Sequence, residues 1–208
     1  MSTPAAAIDK PEAYGESGLN PLDRLGVWAR TRPVRAYVKR ERPGRVLDIG
    51  CGYDAGLIRA LHDDVGAAVG IDLRVAPSAK ALPRATFVEQ PIEAALDGLP
   101  ERSFDAVFMM SVLEHLPDGS AALAGCHRVL RPGGSLFVHV PTWRGRVVLE
   151  HLAFRHGLAT DSIDDHRMYY DTRDLWPALV RAGFKPKDLR LRYGTAGCTL
   201  LAVAKRRA

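Results

Sequence analysis

The stretch RVLDIGCGYDAGL, residues 45–57, constrains the fold of this chain more than any other. An apolar run interrupted by Asp48 leads into a glycine loop at residues 50–52, and Asp54 is placed to cap a helix that begins near Ala55. The two glycines of the loop let the backbone turn sharply and approach a ligand without a Cβ in the way. The stretch therefore predicts the first strand, loop and helix of a nucleotide-binding α/β fold.

Two acidic residues narrow the choice of ligand. Asp48 lies at the C-terminal tip of the first strand, where a carboxylate can meet a ligand ammonium, and Asp72 ends a second apolar strand over residues 67–72. A carboxylate in that second position suits the two hydroxyls of a ribose. A dinucleotide site instead needs helix amides aimed at a pyrophosphate, and it does not need a carboxylate at position 48. The pair favours S-adenosylmethionine, which carries an amino group, a carboxylate and a ribose but no phosphate.

Strands and helices alternate along the rest of the chain. We predict further strands at residues 85–89, 103–110 and 135–140, with helices near residues 57–62, 77–82 and 120–130. Arg131-Pro132-Gly133-Gly134 is predicted as the turn that feeds the fifth strand. A last helix, capped by Asp171 or Thr172, precedes two final strands at about residues 187–193 and 198–204.

Four stretches, VLDIGCGYDAGL, VGIDL, SFDAVFMMSVLEHL and LRPGGSLFVHVP, resemble in this order the successive motifs of class I S-adenosylmethionine-dependent methyltransferases. The resemblance covers about residues 45–204. It implies a Rossmann-like, doubly wound seven-stranded α/β sheet, mostly parallel with a C-terminal antiparallel hairpin. It also implies S-adenosyl-L-methionine as cofactor, and it leaves the methyl acceptor open.

The resemblance carries a set of cofactor contacts onto this sequence: Asp48, Gly50, Cys51, Gly52, Tyr53, Asp72, Leu73, Gln90, Ile92, Met110 and Ser111. The family usually places an acidic residue just after the third strand, next to the adenine amino group. Pro91 stands at that position here. The adenine contact then falls to Gln90, to Glu89 or to backbone groups near Ile92.

Two histidines are candidate general bases, because an unperturbed imidazole titrates near neutrality. His115 follows the fourth strand near the expected methyl position, although the family shares its Leu-Glu-His stretch across different acceptors, which suggests a structural hydrogen bond. His166 lies beside Tyr169 and Tyr170 in residues 142–171, which we interpret as a lid-like insertion over the acceptor pocket. The alternative for His166 is a capping or surface role in a polar turn. No metal site is expected.

Composition sets the domain organisation. The 208 residues suit one methyltransferase domain over residues 21–208, preceded by a flexible arm at residues 1–20. The domain opens with a pre-helix over residues 21–42, which Pro33 is expected to break or kink. Three widely spaced cysteines without a C-x-x-C argue against a disulfide framework and against zinc. With no signal peptide or membrane-spanning stretch, the sequence predicts a cytoplasmic protein without a membrane partner.

Net charge bears on the partner. The value of +5 invites a nucleic-acid interpretation, but the arginines are scattered and the one basic cluster is residues 205–207. The Asn-Pro-Pro-Tyr and Pro-Cys signatures of nucleic-acid base methylation are missing. We therefore expect a small-molecule acceptor, methylated on oxygen or nitrogen. The alternatives are a non-catalytic cofactor-binding module, an RNA or protein methyltransferase, and a nicotinamide-dependent oxidoreductase; the oligomeric state stays open.

Overall fold

A seven-stranded sheet organises the computed structural model, which describes residues 21–148 and 167–207. Its strands are β1 (Arg45–Ile49), β2 (Ala67–Asp72), β3 (Ala85–Glu89), β4 (Phe104–Met110), β5 (Leu130–Pro141), β6 (Leu189–Gly194) and β7 (Thr199–Lys205). The order is β3-β2-β1-β4-β5-β7-β6. The first five strands are parallel, and β7 pairs antiparallel with both β5 and β6. The predicted fold class is confirmed, whereas the predicted arm and much of the predicted lid lie outside the described residues.

Helices pack on both faces of this sheet. They are α1 (Pro21–Glu41), α2 (Gly56–Leu61), α3 (Pro77–Lys80), α4 (Ile92–Gly98), α5 (Gly119–Val129) and α6 (Thr172–Arg181), and residues 143–148 are also helical. One apolar core joins the sheet to α4, α5 and α6, and a second joins it to α1, α2 and α3. Among the described helices, none is long and apolar enough to cross a membrane.

The sequence predicts a break or a kink at Pro33, and α1 runs through Pro33 as one helix without a break. Val34 and Val38 of α1 are fully buried, and the ring of Tyr37 lies 4.9 Å from that of Phe137 on β5. A proline inside a helix removes one backbone hydrogen bond. Packing of the apolar face against the sheet offsets this loss, since tertiary contacts supply most of a helix's stability.

The predicted cap on α2 is also wrong. The N-cap position is taken by Ala55, in a left-handed conformation with φ of 50° and with no side-chain capping bond. The amide of Ala55 donates to the carbonyl of Gly52 at 3.1 Å, which closes the loop as a backbone turn. Asp54 is left outside the helix, and its carbonyl accepts a hydrogen bond from the Arg59 guanidinium at 2.7 Å.

β5 begins earlier than predicted, because residues 131–134 lie within the strand instead of forming a separate turn. Leu130 pairs with Phe104 on β4, and the register then shifts before Ser135 pairs with Ala106. The guanidinium of Arg206 donates to the carbonyls of Leu130 and of two residues at the end of α5. The C-terminal segment thus holds the start of β5 in place by hydrogen bonds. Local turn signals do not reveal this interaction, because it joins residues that are distant in the sequence.

A buried acid lies in the single helical turn Leu113–His115 that follows β4. Glu114 is 1% exposed, and among the described residues its Oε2 has no hydrogen-bond partner. Its carbonyl accepts the amides of Arg167 and Met168 at 2.8 and 3.3 Å, which brings the returning chain against this turn. Burial raises the pKa of the Glu114 carboxyl to about 8, although the charge of Arg30 on α1 acts in the opposite direction.

We expect Glu114 to contribute a decrease in the free energy of unfolding as the pH rises from about 5 to about 8. Folded Glu114 keeps its proton over this range, whereas the unfolded carboxyl releases it near its ordinary pKa of 4.5. The group contributes up to ~1.4 kcal/mol per pH unit. Glu114→Gln cannot ionise and should remove this part of the slope.

Urea unfolding of the wild type and Glu114→Gln across that range measures the effect. Asp97→Asn on the exposed side of α4 is the matched control, and it should keep the wild-type slope. An identical slope in the wild type and Glu114→Gln would contradict the assignment of a buried, protonated carboxyl.

Candidate binding site at the carboxyl edge of the sheet

The order of the strands places a crevice at the carboxyl edge of the sheet. β1 lies between β2 and β4, and successive connections leave β1 and β4 toward opposite sides. In open α/β sheets ligands bind at such a switch point. Asp48 lies near this edge, buried on β1 and in register with Gly70 on β2 and Phe108 on β4. The position matches the one predicted for it.

The loop after β1 depends on its two glycines. Gly50 and Gly52 have φ values of 66° and 74°, a left-handed region that favours glycine. The amides of Gly50 and Cys51 both donate to the carbonyl of Ile71, at 2.8 and 3.1 Å, and hold the loop against β2. A Cβ on Gly50 would lie 2.4 Å from Cγ2 of Val112. The loop therefore follows a path that a larger residue at position 50 would block.

Asp72 connects this loop to the end of β2. Its Oδ2 accepts the amide of Gly52 at 2.8 Å, and its Oδ1 accepts the amide of Leu73 at 2.8 Å. Burial raises the pKa of the Asp72 carboxyl, and these amide hydrogen bonds oppose the rise. A carboxylate offers about four lone-pair sites, so about two stay available for ligand hydroxyls. These acceptor sites fit the two hydroxyls of a ribose.

Cys51 is a packing residue of the loop. Its side chain is buried, and a Cβ on the neighbouring Gly70 would lie 2.9 Å from its Sγ. Burial and the nearby carboxylates of Asp48 and Asp72 raise the pKa of the thiol. A thiol held in its protonated form is a poor nucleophile, which agrees with a role in shaping the loop.

The end of β3 carries the groups predicted for the adenine contact. The Glu89 carboxylate accepts the amide of Val75 at 2.8 Å and pairs with Lys80 at 2.5 Å. The hydrogen bond from Lys80, followed by that from Val75, lowers the pKa of Glu89. Each Glu89 oxygen accepts one hydrogen bond, so about two acceptor sites stay available, as on Asp72. Glu89, Gln90 and the backbone near Ile92 therefore all stay candidates for the adenine contact.

Four predicted contacts lie in the same region. The amide of Gln90 donates to the carbonyl of Asp72 at 3.1 Å, and Ile92 is the first residue of α4 with Pro91 as its N-cap. Leu73 is 58% exposed directly after Asp72. Tyr53 is half-buried, and its carbonyl accepts the amide of Ala76 at 2.8 Å. An exposed leucine and a half-buried isoleucine beside Asp72 provide apolar surface for a flat base.

The end of β4 brings in a histidine that sequence reasoning missed. Met110 and Ser111 are both half-buried, and Ser111 is a non-glycine residue with a φ of 60°. The Ser111 amide donates to the carbonyl of His139 at 2.8 Å, and Oγ of Ser111 lies 3.2 Å from Nδ1 of His139. A single histidine in the apolar run of β5, close to the strand-ending Pro141, was the signal available in the sequence.

The two predicted bases are placed differently. His115 is half-buried in the turn after β4, and its amide donates to the carbonyl of Val112 at 3.0 Å. His166 lies outside the described residues. Among its described neighbours, the amide of Tyr170 donates to the carbonyl of Pro141 at 3.1 Å, at the end of β5. The part of the predicted insertion that is described therefore returns to the carboxyl edge.

Aromatic contacts join the two ends of this insertion. Trp143 and Tyr169 have ring centroids 5.6 Å apart, and the guanidinium of Arg146 lies 5.7 Å from the Tyr169 ring. Tyr169 is buried, whereas Trp143 is 41% exposed. Within residues 21–148 and 167–207, no three or more His, Cys, Asp or Glu side chains are grouped to hold a metal ion.

An open groove of about 500 Å³ lies away from this edge, between α1 and the outer strands β5, β6 and β7. Tyr37 and Phe137 form part of its lining together with Lys187 and Lys205. None of the predicted cofactor contacts lines this groove. We place the candidate site at the carboxyl edge instead, because the glycine loop meets the Asp72 carboxylate there.

Known proteins resemble this chain in sequence and in fold. A family model described as "Methyltransferase domain" matches residues 47–138. A ubiquinone biosynthesis O-methyltransferase of Pseudomonas fluorescens is 38% identical over 134 residues, covering 59% of this chain and 54% of the relative. One of Xanthomonas axonopodis is 37% identical over 129 residues, covering 58% and 49%. This chain thus spans about half the length of the curated relatives it matches.

Solved structures share the fold. A S-adenosylmethionine-dependent methyltransferase from Archaeoglobus fulgidus superposes with a TM-score of 0.67 at 18% identity, covering 88% of this chain and 94% of that one. A 1,6-didemethyltoxoflavin-N1-methyltransferase from Burkholderia thailandensis, with bound S-adenosylhomocysteine, gives a TM-score of 0.63 at 23% identity, covering 90% and 84%. By its sheet order and glycine loop this chain has the fold of these methyltransferases, and its residues 47–138 match the methyltransferase-domain model.

Proposed function

We propose that this chain transfers a methyl group from S-adenosylmethionine to an oxygen or nitrogen of a small-molecule acceptor. The observation that carries the proposal is the hydrogen bond between Gly52 and Asp72, which joins the glycine loop to an acid with capacity left for a ribose. The curated relatives, named as O-methyltransferases of ubiquinone biosynthesis, support methyl transfer to oxygen.

Each end of the cofactor has a suitable set of residues in this site. Asp72 accepts hydrogen bonds from the ribose hydroxyls, and Asp48 contributes negative charge toward the ammonium of the amino-acid end. The loop at residues 50–52 brings backbone close to the cofactor, since no Cβ stands in the way at Gly50 or Gly52. Leu73 and Ile92 flank the adenine with apolar surface, while Gln90 supplies an amide for hydrogen bonding.

The bound cofactor supplies a methyl carbon activated by a positively charged sulfur. The chain contributes alignment of the acceptor, exclusion of water and, for a hydroxyl acceptor, a place for the departing proton. Met110 and Ser111 end β4 beside the glycine loop, where the methyl carbon is expected. His115 and His166 stay candidates for proton removal, with His115 in the turn that directly follows.

Methyl transfer from radiolabelled S-adenosylmethionine tests the proposal. The acceptor panel contains hydroxylated aromatic quinone precursors, saccharides with free hydroxyls, and small amines, with bulk RNA and protein as separate arms. We expect label on at least one small-molecule oxygen or nitrogen acceptor, with S-adenosylhomocysteine formed in equal amount. Tight binding of S-adenosylhomocysteine without label on any acceptor would instead indicate a non-catalytic binding module. Label confined to RNA or protein would contradict the small-molecule acceptor.

Asp72→Ala should weaken S-adenosylhomocysteine binding by about 1–3 kcal/mol, the cost of losing a charge-assisted hydrogen bond. This corresponds to an increase in Kd of roughly 5- to 150-fold. Calorimetric titration measures the change, and Asp97→Ala on exposed α4 is the control. An unchanged Kd in Asp72→Ala would remove Asp72 from the ribose contact.

Gly50→Ala should abolish measurable binding of S-adenosylhomocysteine. Alanine at this φ of 66° is strained by roughly 1–2 kcal/mol, and its Cβ would collide with Val112. Gly98→Ala is the matched control, because a Cβ there has no heavy atom within 4 Å. Thermal unfolding of both variants accompanies the titration, and wild-type affinity in folded Gly50→Ala would contradict the assigned role of the loop.

A further inference from the structure

Ser111 and His139 form a polar pair at the ends of the two central strands. Met110 on β4 pairs in register with His139 on β5, so Ser111 is the first residue beyond that pair. The next residue, Val112, packs against the glycine loop, where its Cγ2 occupies the space that a Cβ on Gly50 would need. Ser111 therefore contacts His139 and directly precedes the residue that packs against the glycine loop.

Two contacts hold Ser111 to His139. The Ser111 amide donates to the His139 carbonyl at 2.8 Å, and the two side chains meet at 3.2 Å between Oγ and Nδ1. Ser111 adopts a φ of 60°, in the left-handed region that a residue with a Cβ avoids. Such strain persists only where the surroundings impose it, and it concentrates at functional sites. Here the strained residue follows the last residue of β4, and its half-buried hydroxyl meets His139.

His139 is suited to hold a hydrogen bond and poorly suited to accept a proton. Its side chain is 8% exposed. Burial, followed by the charge of Arg30 on α1, lowers the pKa of His139 to about 4. An efficient general base has a pKa near the working pH, whereas this imidazole stays neutral throughout the physiological range. Among the described residues, its ring makes one hydrogen bond, the one to Ser111.

We propose that the Ser111 hydroxyl contacts the reacting groups at the methyl-transfer site, and that His139 is the positioning residue that fixes the orientation of this hydroxyl. This role rests on the proposed function. The Ser111 side chain supplies one hydrogen bond that aligns the acceptor atom with the methyl carbon. His139 acts through Ser111 and takes no proton from the acceptor, so the pair differs from a Ser–His nucleophile and base.

Replacement of His139 by alanine and by asparagine separates positioning from proton transfer. Asparagine retains a polar atom near the place of Nδ1 but cannot serve as a base. We expect His139→Ala and Ser111→Ala to lower kcat roughly 10- to 100-fold, because a misplaced acceptor loses alignment. His139→Asn should recover kcat to within about 5-fold of the wild type. The Kd for S-adenosylhomocysteine should stay within about 2-fold in all three variants.

Matched controls are His62→Ala, at a partly exposed histidine after α2, and Ser78→Ala in α3. Both should keep the wild-type kcat and Kd. A readout independent of turnover is ring-nitrogen NMR of the wild type and Ser111→Ala. His139 should stay neutral between about pH 5 and pH 8, and its Nδ1 shift should change when Ser111 is replaced.

Three results would overturn the inference. His139→Asn as slow as His139→Ala would assign the imidazole to proton transfer, and wild-type kcat in both would leave it without a role. An Nδ1 shift unaffected by Ser111→Ala would remove the hydrogen bond itself. Failure of the proposed function gives a different result from failure of the hydrogen bond. The wild type would then transfer no methyl group to any acceptor, while the NMR shift would still report the contact between Ser111 and His139. That result would also remove the positioning role.

Discussion

The hydrogen bond from the Gly52 amide to the Asp72 carboxylate is the contact on which the site depends. It joins the loop after β1 to the end of β2 and sets the distance between the glycine backbone and the acid. The geometry requires β1 and β2 to be parallel neighbours in register, with Ile49 opposite Ile71. It also requires a glycine at position 50, since Val112 fills the space beside it. Sheet order and site geometry are therefore one constraint.

Buried polar side chains gather near the same edge. Asp48, Glu114 and His139 are each at most 8% exposed, and they lie in β1, in the turn after β4 and near the end of β5. Burial of polar groups is costly without compensating contacts. The apolar cores on both faces of the sheet carry the stability that allows this concentration. The pattern agrees with the view that local rules are broken where function requires it.

Much of this architecture was predictable, because apolar runs and glycine turns mark the strands of a buried parallel sheet. The predicted strand over residues 85–89 matches β3, and the hairpin strands lie within about two residues of β6 and β7. Contacts between distant residues were not predictable. Tyr37 packing on Phe137 keeps α1 continuous through Pro33, and Arg206 ties down the start of β5.

In the candidate site, too, the features carried by local sequence were predictable and those that depend on contacts between distant residues were not. The glycine loop, Asp48 and Asp72 carry their chemistry in local sequence, and the structure brings them to one edge. The role of His139 depends on its register with Met110, which follows only once β4 and β5 are paired. The hydrogen bonds that Lys80 and the Val75 amide donate to Glu89 likewise depend on the fold.

Calorimetric titration of the wild-type chain with S-adenosylhomocysteine, with NAD as the comparison ligand, tests the central claim most directly. The Asp72 carboxylate accepts a hydrogen bond from the glycine loop, and the proposed site receives no pyrophosphate. We therefore expect one-to-one binding of S-adenosylhomocysteine and no heat of binding with NAD. Binding of NAD alone would contradict the assignment, because it would mean that the loop at residues 50–52 receives a pyrophosphate and that Asp48 has another purpose.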